Sequence, residues 1–162
     1  MSIILFSRPI HSGKTTELVQ WCNEQKNIDG ILMPDIDGSR KIINIKTKEI
    51  FDIECTDTKN NRELITTIGK YNFYTAAFEK ANSILINALA HKPDWLIIDE
   101  AGKLELDGKG FYEAIIKAVD IYDRKKSCGN LLIAVRESLC NDVILFFKIK
   151  NYTVIHQLEE FG

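Results

Sequence analysis

The stretch Ile3-Ile-Leu-Phe6-Ser-Arg8-Pro-Ile-His11-Ser-Gly13-Lys14-Thr15-Thr16 decides the fold. Residues 3–6 form an apolar run that is too short for a helix, is rich in β-branched and aromatic side chains, and is cut off by Ser7-Arg8-Pro9. It predicts a buried strand. From Lys14 to Gln25 the apolar positions Leu18, Trp21 and Cys22 fall at i, i+3 and i+4, which predicts an amphipathic helix opening at Gly13. Between strand and helix, Arg8 to Thr15 follows the phosphate-binding pattern G-x-x-x-x-G-K-[ST], with Arg8 in place of the first glycine. A loop of this kind folds backbone N–H groups around an anion while the following helix aims its positive dipole end at the same charge, and Gly13 allows close approach. Arg8, Pro9, Ile10, His11, Ser12, Gly13, Lys14, Thr15 and Thr16 are therefore candidate nucleotide-binding residues. In the loop mechanism Lys14 reaches the β- and γ-phosphates, and the Thr15 hydroxyl is a ligand for Mg²⁺.

A second signal lies downstream. Trp95-Leu-Ile-Ile98 is a continuous apolar run ending in Asp99-Glu100, as expected of a strand buried on both faces of a parallel sheet. Paired with a phosphate loop it matches a Walker B strand, in which Asp99 serves Mg²⁺ and Glu100 polarises the attacking water as catalytic base. Lys14 and Glu100 are the catalytic candidates, and Thr15 and Asp99 the metal candidates.

The rest of the chain is consistent with one architecture. Short strands are expected at 30–33, 131–135 and 152–156. Helices are expected at 74–90 and 111–122, with a short one at 143–147. Residues 41–46 and 49–54 read as a hairpin at the sheet edge, whereas 55–70 are polar and poorly patterned. Strands alternating with helices of about a dozen residues mean βαβ units. The expected class is α/β: a three-layer P-loop sandwich, mainly parallel, with an added hairpin. The 162 residues are read as a single domain spanning 1–162.

Net charge is −2 with no block of like charge, so neither a nucleic-acid arm nor a polybasic membrane patch is expected. The four cysteines, at 22, 55, 128 and 140, contain no Cys-x-x-Cys pair and are expected to be reduced and buried. The opening residues lack a basic segment and a long apolar run, which makes the cytoplasm the expected address.

Several segments together resemble a known family. They are Gly13-Lys-Thr-Thr, Gly30 with Pro34 and Gly38-Ser-Arg40, Gly69-Lys-Tyr71, and above all Asp99-Glu-Ala-Gly-Lys-Leu-Glu-Leu106. In this order the chain resembles the thermophile-type nucleoside triphosphatases, a family that includes the animal cancer-related nucleoside triphosphatase. The resemblance implies a P-loop domain of the additional-strand, catalytic-glutamate class that hydrolyses nucleoside triphosphates to diphosphates with Mg²⁺. It carries over Gly13, Lys14, Thr15, Asp99, Glu100, Lys103 and Glu105, and adds Lys103 and Glu105 to the binding candidates. Family loops read Gly-Pro-Pro-Gly-Val-Gly-Lys-Thr, so this chain departs at Arg8 and at His11.

Those departures leave a non-catalytic nucleotide-binding module as an alternative. A small-molecule or nucleoside kinase is another, because Ser12-Gly-Lys-Thr-Thr-Glu-Leu18 also resembles the junction in type II thymidine kinases, although their zinc-bearing cysteine loop is absent. Arg136, after a buried strand, is either a cis arginine finger or a surface partner of Glu137. Arg40 and Lys70 either contact phosphate or base or, the favoured reading, are solvated loop charge. Trp21 and Phe111 read as core, and Tyr71, Phe73 and Tyr74 either stack on a base or pack under the preceding loop.

Overall fold

The computed structural model describes residues 2–59, 62–124 and 129–161, so Cys128 lies outside the described residues. The elements run β1 (Ile3–Arg8), α1 (Lys14–Glu24), β2 (Ile28–Leu32), β3 (Asp35–Ile36), β4 (Ser39–Asn44) and β5 (Ile50–Asp52). They continue β6 (Ile65–Ile68), β7 (Tyr71–Tyr74), α2 (Thr75–His91), β8 (Trp95–Ala101), α3 (Lys103–Leu106) and α4 (Tyr112–Asp123). The chain closes with β9 (Asn130–Arg136), α5 (Cys140–Phe146) and β10 (Tyr152–Ile155), with 3-10 turns at Glu137–Leu139 and Leu158–Phe161.

The main sheet has the order β10-β1-β9-β8-β2-β4-β3, with β5 added on β4. The run from β10 to β2 is parallel throughout, while β4 is antiparallel to β2 and to both of its other partners. One strand, β9, thus separates the phosphate-loop strand β1 from the Asp99 strand β8.

The continuous apolar runs follow from burial on both faces. Ile3 and Leu5 of β1, Leu96 and Ile98 of β8, and Leu131 and Ile133 of β9 point into the layer filled by α2, α4 and α5. Their alternating neighbours Ile4, Phe6, Ile97 and Leu132 pack with Leu18, Trp21 and Cys22 of α1 and with Leu158. Trp21 meets Trp95 edge to face at 4.8 Å, and both Trp21 and Phe111 are buried, as expected for core. The sheet therefore fixes the carboxyl ends of its five parallel strands along one edge, where the loops after β1, β8 and β9 meet.

Gly30 shows how tightly β2 and β8 approach. Its φ is +122°, and a Cβ there would lie 2.1 Å from the Ile97 carbonyl oxygen. Gly30→Ala is expected to cost about 3 kcal/mol, combining backbone strain with steric displacement of a central strand. Urea unfolding of the variant beside the parent measures it.

Three expectations are corrected. The segment 55–70 contains β6, which pairs antiparallel with β7 around a Gly69-Lys70 turn and forms a separate two-stranded sheet. Only four residues per strand, with two adjacent threonines in β6, leave no readable alternation. The four-residue α3 was too short to show a helical period, and the helix expected at 143–147 begins earlier, at Cys140. The edge hairpin of β4 and β5 is present, its turn held by the Asn44 side chain, which accepts the Lys46 and Thr47 backbone N–H groups. Cys22, Cys55 and Cys140 are buried and are thiols, not disulfides. No helix among the described residues is long and apolar enough to cross a membrane.

Candidate active site

Residues 9–16 wrap one end of a cleft of about 610 Å³ at the carboxyl edge of the sheet, with Met33, Arg40, Tyr71, Glu100 and Arg136 around its rim. The loop's path depends on two left-handed residues. Gly13, immediately before α1, has φ +78°, and His11 has φ +57°. His11 occupies the place where related loops carry glycine, and histidine is among the few side chains that enter this region at modest cost. The histidine thus adopts a left-handed backbone that would otherwise favour glycine.

Arg8 is the last residue of β1, in extended backbone, so no glycine is required there. Its side chain turns away from the cleft. The guanidinium donates to the Ser12 carbonyl at 2.6 Å and pairs with the Glu17 carboxylate. Glu17 also accepts the Leu158 backbone N–H at 2.9 Å, so Arg8 ties the two ends of the loop to α1 and to the C-terminal turn. Arg8→Ala is expected to loosen the loop and raise the dissociation constant for a nucleotide about 3- to 10-fold, the scale of one partly exposed charge-assisted bond. Isothermal titration checks it.

Behind the loop, Lys14 is 7% exposed and Asp99 is fully buried. The Thr15 hydroxyl donates to Asp99 Oδ1 at 3.4 Å, and Asp99 Oδ2 accepts the Met33 backbone N–H at 3.1 Å. Burial, with a smaller contribution from Glu100, pushes the Asp99 carboxyl up to about 6 against the Met33 N–H, Lys14 and Thr15, which lower it. A buried carboxylate set against a threonine hydroxyl is the oxygen donor set that Mg²⁺ takes, and adjacent oxygens around that ion lie about 3 Å apart. Ser12 Oγ is buried without a protein partner. Among the described residues no group of three or more His, Cys, Asp or Glu side chains could hold a metal.

Glu100 follows Asp99 at a register shift between β8 and β9 and faces the cleft. Its Oε1 lies 3.3 Å from Arg136 Nε, and its side chain is 15% exposed. Arg136, at the end of β9, therefore pairs with Glu100; the expected pairing with Glu137 is corrected. A carboxylate held by a guanidinium beside a phosphate loop can orient an oxygen nucleophile and accept its proton.

Not every candidate lies at the loop. Arg8 faces the opposite side, while Lys103 and Glu105 line an adjoining cavity and not the loop's cleft. Glu105 is 4% exposed, and its two oxygens accept the Gly102 N–H at 2.9 Å and the Phe111 N–H at 3.1 Å. Its position is that of a capping carboxylate, holding the turn that follows Glu100. Burial pushes Glu105 up to about 7, against the three backbone N–H groups that lower it. The unfolded chain ionises this carboxyl near 4.5. Between about pH 4.5 and 7 the folded state therefore binds more protons than the unfolded state. Stability from this group rises on acidification through that window and is lost as pH rises through it. Glu105→Gln is expected to flatten this part of the pH profile of the melting temperature.

Sequence reasoning missed Met33 and favoured solvated charge over ligand contact for Arg40, yet both are on the rim. Arg40 had a signal, its place in the Gly38-Ser-Arg40 turn, but nothing in the spacing says that this end of β4 lines the cleft.

A five-stranded parallel core with one strand between the loop strand and the Asp-Glu strand, a glycine-lysine-threonine loop and a buried aspartate define a P-loop nucleoside-triphosphatase fold. The chain belongs to the NTPase family, whose model matches residues 3–159, and it is an enzyme of the nucleoside-triphosphatase class. It is similar to the nucleoside-triphosphatase THEP1 of Methanopyrus kandleri, 29% identical over 133 residues that cover 75% of this chain and 68% of that protein. Its fold is similar to the crystal structure of THEP1 from the hyperthermophile Aquifex aeolicus, with a TM-score of 0.72 over 99% of this chain and 92% of that one at 20% identity.

Proposed function

We propose that this chain hydrolyses nucleoside triphosphates, ATP and GTP among them, to the diphosphate and inorganic phosphate with Mg²⁺. The observation that carries the reading is the 3.4 Å contact between Thr15 and Asp99 with Glu100, one residue on, facing the same cleft. The backbone N–H groups of Ile10, His11, Ser12, Gly13 and Thr16 cradle the phosphates at the N-terminus of α1, and Pro9, which has no N–H, shapes the loop's entry. Lys14 neutralises charge on the β- and γ-phosphates. Thr15 and Asp99 would hold Mg²⁺, which when bound neutralises the phosphate oxygens. Glu100 orients water and takes its proton as the bond to the γ-phosphorus forms. Arg136 fixes the Glu100 carboxylate and is placed to meet charge on the γ-phosphate.

Asp99 must be ionised to bind the cation. Because its carboxyl is pushed up to about 6, proton and Mg²⁺ compete below that pH, and apparent Mg²⁺ affinity is expected to fall about tenfold per pH unit there. Magnesium titrations of turnover at pH 5 and pH 7.5 check the direction.

The proposal takes residues 1–162 as one domain acting on free nucleotides in the cytoplasm, with no nucleic-acid or membrane partner; a net charge of −2 offers no polyanion footprint. The test is phosphate release from ATP, GTP, CTP and UTP with and without Mg²⁺. Metal-dependent release supports the reading. Tight nucleotide binding without release would make the chain a non-catalytic binding module.

A further inference from the structure

On the far side of Glu100 from the phosphate loop lies a cavity of about 300 Å³. It opens into the loop's cleft, since Met33, Arg40, Tyr71, Glu100 and Arg136 line both. Water attacking a phosphate occupies about 30 Å³. The cavity is therefore an order of magnitude larger than hydrolysis needs, and its walls are wrong for water alone. One side is aromatic and aliphatic: Tyr71, stacked on Phe73 at 6.2 Å with 21° between the rings, and Ile68 and Leu104. The rim carries Arg40, Lys70 and Lys103, whose side chains form no ion pair with a carboxylate among the described residues, while the Arg40 backbone N–H donates to Glu54. Lys70 stands 5.3 Å over the Tyr71 ring. Flat apolar walls with unpaired cations suit a planar ring that bears an anionic group.

We propose that this cavity is a second-substrate subsite for a nucleoside monophosphate, and that the chain transfers the γ-phosphoryl group to it as well as to water. The inference rests on the reading of the phosphate loop as the nucleoside-triphosphate site. The base lies against Tyr71, and the monophosphate faces Arg40, Lys70 and Lys103 with one oxygen turned to the Glu100–Arg136 pair. In the transfer, that oxygen forms a bond to the γ-phosphorus while the bond from phosphorus to the β–γ bridging oxygen breaks. The electron pair leaves on the diphosphate, and a proton on the attacking oxygen, where present, passes to Glu100. The products are two nucleoside diphosphates, with nothing oxidised or reduced. Glu100 thus serves either acceptor, and an occupied cavity displaces water from it.

The test uses the full chain with Mg²⁺ and ATP labelled at the γ-phosphate, alone and with AMP, GMP, CMP, UMP or dTMP at millimolar concentration. Labelled diphosphate and free phosphate are separated and counted. At least one monophosphate is expected to yield labelled diphosphate and to lower phosphate release by a factor of two or more. Ile68→Trp, which fills the cavity from the β6–β7 turn, and Lys70→Glu, which reverses one rim charge, are each expected to raise KM for that monophosphate at least tenfold. Both should leave KM for ATP in acceptor-free hydrolysis within twofold. Phosphate release that persists while no monophosphate is labelled overturns the subsite and leaves the hydrolase reading standing. Transfer without hydrolysis does the reverse. A rise in KM for ATP in both variants without acceptor would assign the cavity to the base of the triphosphate itself and also overturn the proposal. Absence of both products removes both readings.

Discussion

Glu100→Gln is expected to reduce phosphate release by about 10²- to 10⁴-fold while leaving the dissociation constant for the nucleotide within a few-fold, the range associated with loss of a positioned base. The reasoning is local. Gln keeps the length and one hydrogen-bonding oxygen, so its contact with Arg136, now 3.3 Å from Glu100 Oε1, is weakened but not emptied. What it loses is the ability to take a proton. Single-turnover phosphate release, with nucleotide affinity measured by titration, separates the two quantities. Unchanged turnover would remove Glu100 as base.

Lys14→Ala is expected to act on binding and turnover together. The side chain is almost wholly enclosed, so its charge works in a medium where hydrogen bonds to phosphate contribute about 1.5–3 kcal/mol each. Loss of the contact is expected to weaken nucleotide binding by about 10- to 100-fold, with a further drop in turnover of about 10²-fold from lost transition-state stabilisation. A second effect follows from its position. Lys14 is one of the groups that hold the Asp99 carboxyl down against burial, so removing it pushes Asp99 up further and weakens Mg²⁺ binding at neutral pH. The variant should therefore need more Mg²⁺ than the parent for half-maximal release, a shift that a purely steric loss would not produce.

The frame of the fold is legible in the sequence because it rests on strong, local signals. The runs at 3–6, 95–98 and 131–135 are apolar on both faces, and only a covered parallel sheet accommodates that pattern. The loop from Gly13 to Thr16 is legible because its chemistry demands those residue types between a strand and a helix. Arg8 could not be read in the same way. Its sequence position suggested a damaged glycine site, but the consequence depends on whether the backbone there is left-handed and on where the guanidinium goes. The backbone is extended, and the side chain finds Glu17 and the Ser12 carbonyl, partners nine and four residues away. His11 shows the opposite case, a side chain tolerated in a left-handed turn.

Glu105 was carried over by resemblance as a binding residue, and the structure gives its oxygens to backbone N–H groups instead. The spacing Gly102-x-x-Glu105 could have suggested a capping box, although the helix it caps is a single turn. Arg136 and Glu100 are 36 residues apart and meet only because β8 and β9 are neighbours in register. No spacing argument along the chain reaches a contact of that kind. The same holds for Arg40 and Tyr71, which reach the cleft from the edge hairpin and from the separate β6–β7 sheet.

The most direct test of the account is a ³¹P NMR time course of the full chain with ATP and Mg²⁺, followed by chelation of the metal. The account predicts loss of the γ signal with equal growth of inorganic phosphate and of the diphosphate resonances, stopping when the metal is removed. Persistent ATP signals from a chain that binds the nucleotide, or growth of pyrophosphate and AMP, would contradict it.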